Sequence, residues 1–358
     1  MKKMILLFSL LMCWSAVGFA DRINKVVYFG DSLTDTGNIY MYGHIMPKSP
    51  PYYNGRFSNG PVWSEYLDAA LSKRNIASDN FATGGATVYF HNPLDGFLPY
   101  VFFEEVNHYI WQSALTNRSK TLFIIWIGAN DYTGGQENVD AATSHVVDNI
   151  MDSVNKLINY GGKNFLILDL PDLSKTPKAR DNVILNIQQL TLMHNKKLAS
   201  AVTKLQSAHK DLKISFLDVA DTFDSLLEHP EVLSQVYHKN IKNTFNSCWD
   251  GGYTLQKDRT SQVDALSAEL QTVINQKQLK SKDSTPIDTH RVAEEILNNP
   301  SLSEAYTAGR LYARGVTPCN NPEEYMFWDH IHPTTVIHDI LAQITLQALK
   351  SNGSIDNI

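Results

Sequence analysis

Four short apolar runs, three of them stopped by a glycine or a proline, constrain the fold of this chain more than anything else in its sequence. Lys25–Phe29 halts at Gly30, Thr121–Ile127 at Gly128 and Asn164–Leu170 at Pro171, and Lys213–Val219 is a fourth run of the same kind. β-Branched and aromatic residues ended by such breakers read as strands. The runs lack the strict apolar/polar alternation of a sheet with one wet face, so each strand is expected to be covered on both faces. Helical spacing fills the intervals. Ala142, Val146, Ile150, Val154 and Leu157-Ile158 recur at steps of three and four within Asp140–Tyr160, before a Gly161-Gly162 stop. Asp181–His209 repeats the pattern through Leu185, Ile187, Leu190, Leu192, Leu198 and Val202, and Thr335–Leu349 adds a last amphipathic helix. Strands alternating with helices predict a three-layer α/β/α domain around a mostly parallel sheet.

Composition closes off other classes. With 43% hydrophobic and 19% charged residues, the 358-residue chain is neither fibrous nor disordered. Its net charge of -6 and the lack of a basic block set nucleic acid aside as a partner, because that binding depends on neutralising phosphates. Lys2 and Lys3 precede an apolar run from Met4 to about Phe19, with Gly18 and Ala20 small before Asp21. This predicts a secretory signal peptide over residues 1–20 and a secreted or periplasmic product. The run is short of the ~20 apolar residues that span a bilayer. Residues 21–358 are expected to form a single domain, interrupted at about 249–318 by an inserted, exposed segment rich in Gln, Lys, Ser and Asp, with helical spacing in places (Val263, Leu266, Leu270, Val273). Cys248 and Cys319 flank that segment and are either bridged or two separate thiols, with export favouring the bridge. Such a bridge would close about 70 residues and be worth ~4 kcal/mol.

The chemistry-bearing residues lie just after the strands. Ser32, in Gly30-Asp31-Ser32-Leu33, stands past the carboxyl end of the first strand, the edge where open α/β sheets hold their ligands. Its hydroxyl becomes a nucleophile only beside a base; otherwise a serine in such a turn is an N-cap. The base candidate is distant, in Asp329-His330-Ile331-His332-Pro333. A carboxylate three residues before a histidine can reach its ring and fix the tautomer. His330 and His332 as metal ligands is the competing reading, although no further ligands stand nearby. Asn80-Phe81-Ala82-Thr83-Gly84-Gly85-Ala86-Thr87 offers backbone N–H groups to a substrate oxygen, and Gly128-Ala129-Asn130-Asp131 offers the Asn130 amide. Donors preorganised around developing negative charge are each worth ~3 kcal/mol of barrier.

In this order, Gly-Asp-Ser-Leu, Gly-Gly-Ala-Thr, Gly-Ala-Asn-Asp and Asp-His-Ile-His-Pro resemble the blocks of the GDSL lipase/esterase (SGNH hydrolase) family, from about Val26 to Leu349. Asn54-Gly55-Arg56-Phe57-Ser58-Asn59-Gly60-Pro61-Val62-Trp63 resembles the family's segment between the first two blocks. The resemblance implies a flavodoxin-like fold, with Ser32 as nucleophile, His332 as base and Asp329 as its orienting carboxylate. It makes Ser32, Gly85 and Asn130 the oxyanion donors, with Gly84 the alternative in the glycine turn. It implies acyl-ester hydrolysis without a metal or other cofactor. The chain is most similar to exported bacterial phospholipases, lysophospholipases and glycerophospholipid–cholesterol acyltransferases. That likeness implies a lipid ester substrate, transient contact with a membrane surface, a sterol as a further acyl acceptor, and a disulfide loop open to an activating protease. Met41, Tyr42, Tyr52 and Tyr53, and Phe90, Leu94, Phe97, Leu98, Tyr100, Phe102 and Phe103, are read either as an apolar acyl groove or as plain core packing. A carbohydrate esterase and a non-catalytic lipid- or glycan-binding module are the rival readings.

Overall fold

A computed structural model describes residues 22–88, 101–114, 116–249, 259–278 and 286–355. The expected signal peptide and Phe90–Tyr100 lie outside the described residues. The strands are β1 Lys25–Gly30, β2 Ala77–Asn80, β3 Thr121–Trp126, β4 Asn164–Leu168, β5 Lys213–Leu217, β6 Asn243–Ser247 and β7 Tyr325–Phe327. The helices are α1 Trp63–Ser72, α2 Phe102–Gln112, α3 Val139–Asn159, α4 Pro177–Asp181, α5 Ile187–Ala208 and α6 Val219–Glu228. They continue as α7 Pro230–Val236, α8 Arg259–Lys277, α9 Thr289–Asn298, α10 Pro300–Tyr312 and α11 Thr335–Ser351.

β2, β1, β3, β4 and β5 form a parallel sheet in that order. All six residues of β3 and all five of β4 are buried, which is why these runs carry no alternation. Packing covers both faces: α1 lies against α11, and α3 against α5. From β1 the chain winds outward to β2, and from β3 it winds the other way to β4 and β5. Right-handed crossovers therefore put the two helix pairs on opposite faces and leave a crevice at the carboxyl ends of β1 and β3. Ser32 and Asn130 follow those two ends.

Three elements depart from the sequence reading: β5, at the sheet edge, has only Leu217 buried and is not covered on both faces. Asp181–His209 does not run as one helix, because α4 ends at Asp181 and α5 starts at Ile187; Leu185 in the gap and Leu192 on the outer face of α5 are exposed. The expected exposed segment at 249–318 is, among its described residues, three packed helices. Their apolar residues Leu266, Leu270, Ile296, Leu302 and Tyr306 join Tyr52, Phe57, Trp249 and Trp328 in a second core beside the sheet. Each fully buried leucine there contributes about 2 kcal/mol, enough to hold a segment whose outward face is polar. Cys248 and Cys319 are bridged at its base.

Candidate active site

Ser32 is buried in the turn two residues past the end of β1, and its Oγ lies 2.9 Å from His332 Nε2. On the other side of the ring, Nδ1 is 2.8 Å from Asp329 Oδ2. The i, i+3 spacing works because Asp329 also folds its own turn: Oδ1 accepts the backbone N–H groups of Ile331 and His332 at 2.8 and 2.7 Å. Three residues separated by up to 300 positions thus form one hydrogen-bonded chain.

Asp329 has a partner that sequence reasoning missed. Tyr52 Oη donates to Oδ2 at 2.6 Å and is buried, its ring tilted against Phe57 and edge-on to Trp328. Tyr52 therefore belongs to the carboxylate's setting and not to an acyl groove. Burial alone would raise the Asp329 carboxyl. The facing His332, together with the hydrogen bonds from His332 and Tyr52, outweighs burial and holds it below the usual range. Phe57 stacks obliquely on the His332 ring at 5.1 Å between centroids.

The glycine doublet is explained position by position. A Cβ on Gly84 would sit 2.2 Å from the Phe57 ring, so only glycine lets that ring reach His332. Gly84 N–H donates to Asp35 Oδ2 at 2.7 Å and is already engaged. Gly85 has φ +79, and its N–H has no acceptor among the described residues. Asn130 Nδ2 donates to Ala86 O at 2.9 Å, which leaves its second proton for another acceptor.

Buried carboxylates tie these turns together. Asp35 accepts from the N–H groups of Gly37, Asn38, Ile39 and Gly84, and Glu105 from those of Gly30 and Thr83. Burial pushes the carboxyls of Asp31 and Asp35 up to about 6 and that of Glu105 well above its ordinary value. Asp131 accepts from Val88 N–H, locking the chain after the glycine turn to the Asn-Asp turn. Glu105 gave no signal in the sequence, since an acidic residue in the first turn of a helix is ordinary.

His330 is held away from Ser32. Its Nδ1 pairs with buried Glu304 at 2.7 Å, and no cluster of three metal-ligating side chains exists among the described residues. The apolar walls of the pocket beside Ser32 and His332 are Leu33, Leu173, Phe223, Leu227, Phe327 and Ile331, with Thr133, Asp172, Lys175 and Thr176 also on its lining. None of the described residues read as groove or core packing is among these walls. Met41, Tyr53 and Phe103 are exposed, and Phe102 is in the main core. The sequence could not mark the actual walls, which come from the ends of β1, β4 and β7 and from α6.

No described helix is long and apolar enough to cross a membrane. The chain is 31% identical over 333 residues to a phosphatidylcholine-sterol acyltransferase of Aeromonas hydrophila, covering 92% of this chain and 90% of that one. It is 26% identical to the thermolabile hemolysin of Vibrio parahaemolyticus, over 92% of this chain and 64% of the relative. Against the secreted effector protein SseJ of Salmonella typhimurium it is 31% identical, over 58% of this chain and 49% of the relative. The family model for GDSL-like lipase/acylhydrolase matches residues 26–344, a span that holds the Ser32, glycine, Asn130 and His332 turns. The chain belongs to the GDSL-like lipase/acylhydrolase family.

Proposed function

We propose that this protein is an exported serine hydrolase that cleaves acyl esters of phospholipids or lysophospholipids, with transfer to a sterol hydroxyl as a second outcome of the same intermediate. The observation that carries the reading is the unbroken Asp329–His332–Ser32 hydrogen-bond chain opening on an apolar pocket. Ser32 Oγ attacks the acyl carbonyl as His332 Nε2 takes its proton, and Asp329 steadies the imidazolium. The Ser32 and Gly85 N–H groups and Asn130 Nδ2 receive the oxyanion. As the tetrahedral intermediate collapses, His332 returns the proton to the departing alcohol, and the acyl group stays on Ser32. Water or a sterol hydroxyl then attacks, again giving its proton to His332, and Ser32 is regenerated. The apolar part of the wall suits an acyl chain, which favours a lipid ester. The Aeromonas relative's name is consistent with acyl transfer from a phospholipid.

The mature protein should release fatty acid from phospholipid or lysophospholipid vesicles, and esterify sterol when it is supplied. Ser32→Ala should lower hydrolysis by several orders of magnitude while the protein stays folded. A fluorophosphonate probe should label Ser32 in the wild type. Retention of a tenth of wild-type activity by Ser32→Ala would remove that residue from the mechanism, and turnover of acetylated sugars alone would replace the lipid assignment. Export is tested by N-terminal sequencing of the mature protein, expected to begin at Asp21.

A further inference from the structure

The helical segment between the bridged cysteines reaches back to the site through one turn of α10. Asn299, its N-cap, accepts the Leu302 N–H with Oδ1 and donates from Nδ2 to Gly85 O at 2.8 Å. Two residues on, Ser301 is buried at the pocket, and its Oγ donates to Asn130 Oδ1 at 3.0 Å. One turn further, Glu304 holds His330, two residues before His332. A single helix end thus contacts the glycine turn, the Asn-Asp turn and the histidine turn.

The direction of the Asn130 contacts is forced. Ala86 O has no proton to give, so the amide nitrogen must face it, and the amide oxygen must then accept from Ser301. Without Ser301 the amide oxygen loses its partner and the side chain can rotate, moving the nitrogen off the reacting oxygen. We infer that Asn299 and Ser301 are positioning residues that brace the oxyanion hole from within the disulfide-closed segment, Ser301 acting through Asn130 and Asn299 through the Gly85 turn. This inference rests on the oxyanion roles proposed above for those two residues.

The test is a double-mutant cycle on the mature protein, read as kcat, KM and Tm with a soluble ester. Asn130→Ala alone should cost kcat about a hundredfold. Ser301→Ala should cost about tenfold in kcat with KM unchanged, because the loss is realised at the oxyanion. In the Asn130→Ala background the Ser301→Ala change should cost less than about twofold, since its target is gone. Ser301→Cys, of similar volume but a weak donor, should show the same split and guards against a cavity effect. Asn299→Ser keeps a good N-cap but cannot reach Gly85 O; its kcat loss should persist in the Asn130→Ala background. Equal losses from Ser301→Ala in both backgrounds, or no loss at all, overturn the brace while leaving the oxyanion reading intact. Full activity in Asn130→Ala overturns both.

Discussion

Removing one oxygen atom from Tyr52 tests the logic of the site without touching Ser32, His332 or Asp329. The Asp329 carboxylate is buried and receives four donors, two N–H groups on Oδ1 and the His332 ring and Tyr52 hydroxyl on Oδ2. Tyr52→Phe deletes one of the four and keeps the ring against Phe57 and Trp328, so no cavity of consequence opens. A hydrogen bond to a charged group is worth about 2 kcal/mol, which for a chain of this size lowers Tm by about 3 °C. The pH dependence follows from the sign of the shift. Asp329 is held below its ordinary value in the folded protein, so it adds stability above about pH 4 that is lost as acid protonates it. Tyr52→Phe weakens that hold, so the stability gap to wild type should be widest near pH 7 and should narrow below pH 4. Activity should fall about tenfold, since three donors still keep the carboxylate on His332. Denaturant melts at a series of pH values and kcat/KM measured at pH 7 make the comparison. A gap that widens in acid, or a loss of activity as deep as that of Asp329→Ala, would refute the assignment of Tyr52 as a support for the carboxylate.

Three further outcomes are expected. His330→Ala should destabilise by about 3 kcal/mol in thermal melts, because it strands the buried Glu304 carboxylate; adding Glu304→Ala should recover part of that loss. His338→Leu should protect against acid: burial, aided by His332, pushes His338 down to about 3, and both of its ring nitrogens lack partners among the described residues. The folded state thus resists protonation, and stability is lost as pH falls below 6.5. Between pH 6.5 and 5 the variant should be spared roughly 2 kcal/mol of that loss in urea titrations. Cys248→Ser opens a bridge between residues 71 positions apart and should cost about 4 kcal/mol, seen as a lower Tm.

Much of this protein was legible in one dimension because the physics there is local. β1, β3 and β4 announced themselves as apolar runs, since strands covered on both faces have no polar side to show. Asp329 and His332 declared their pairing through i, i+3 spacing within a single turn. Edge strand β2 (Ala-Ser-Asp-Asn) and β6 (Asn-Thr-Phe-Asn-Ser) were invisible, because a short strand with partly exposed residues needs little apolar content. In the segment before Cys319 the helical spacing of Val263, Leu266, Leu270 and Val273 was legible, but its burial was not, because that narrow stripe becomes a core only when Tyr52, Phe57 and Trp328 are brought to meet it. Asn299, Ser301 and Glu304 look like an ordinary cap and first turn, and Tyr52 looks like one more aromatic residue. Local patterning, set by backbone geometry and burial, therefore determined the sheet and its reactive turns. The supports of those turns were decided by tertiary structure, because a buried carboxylate or amide takes its partner from whichever element packing places against it, at any distance along the chain.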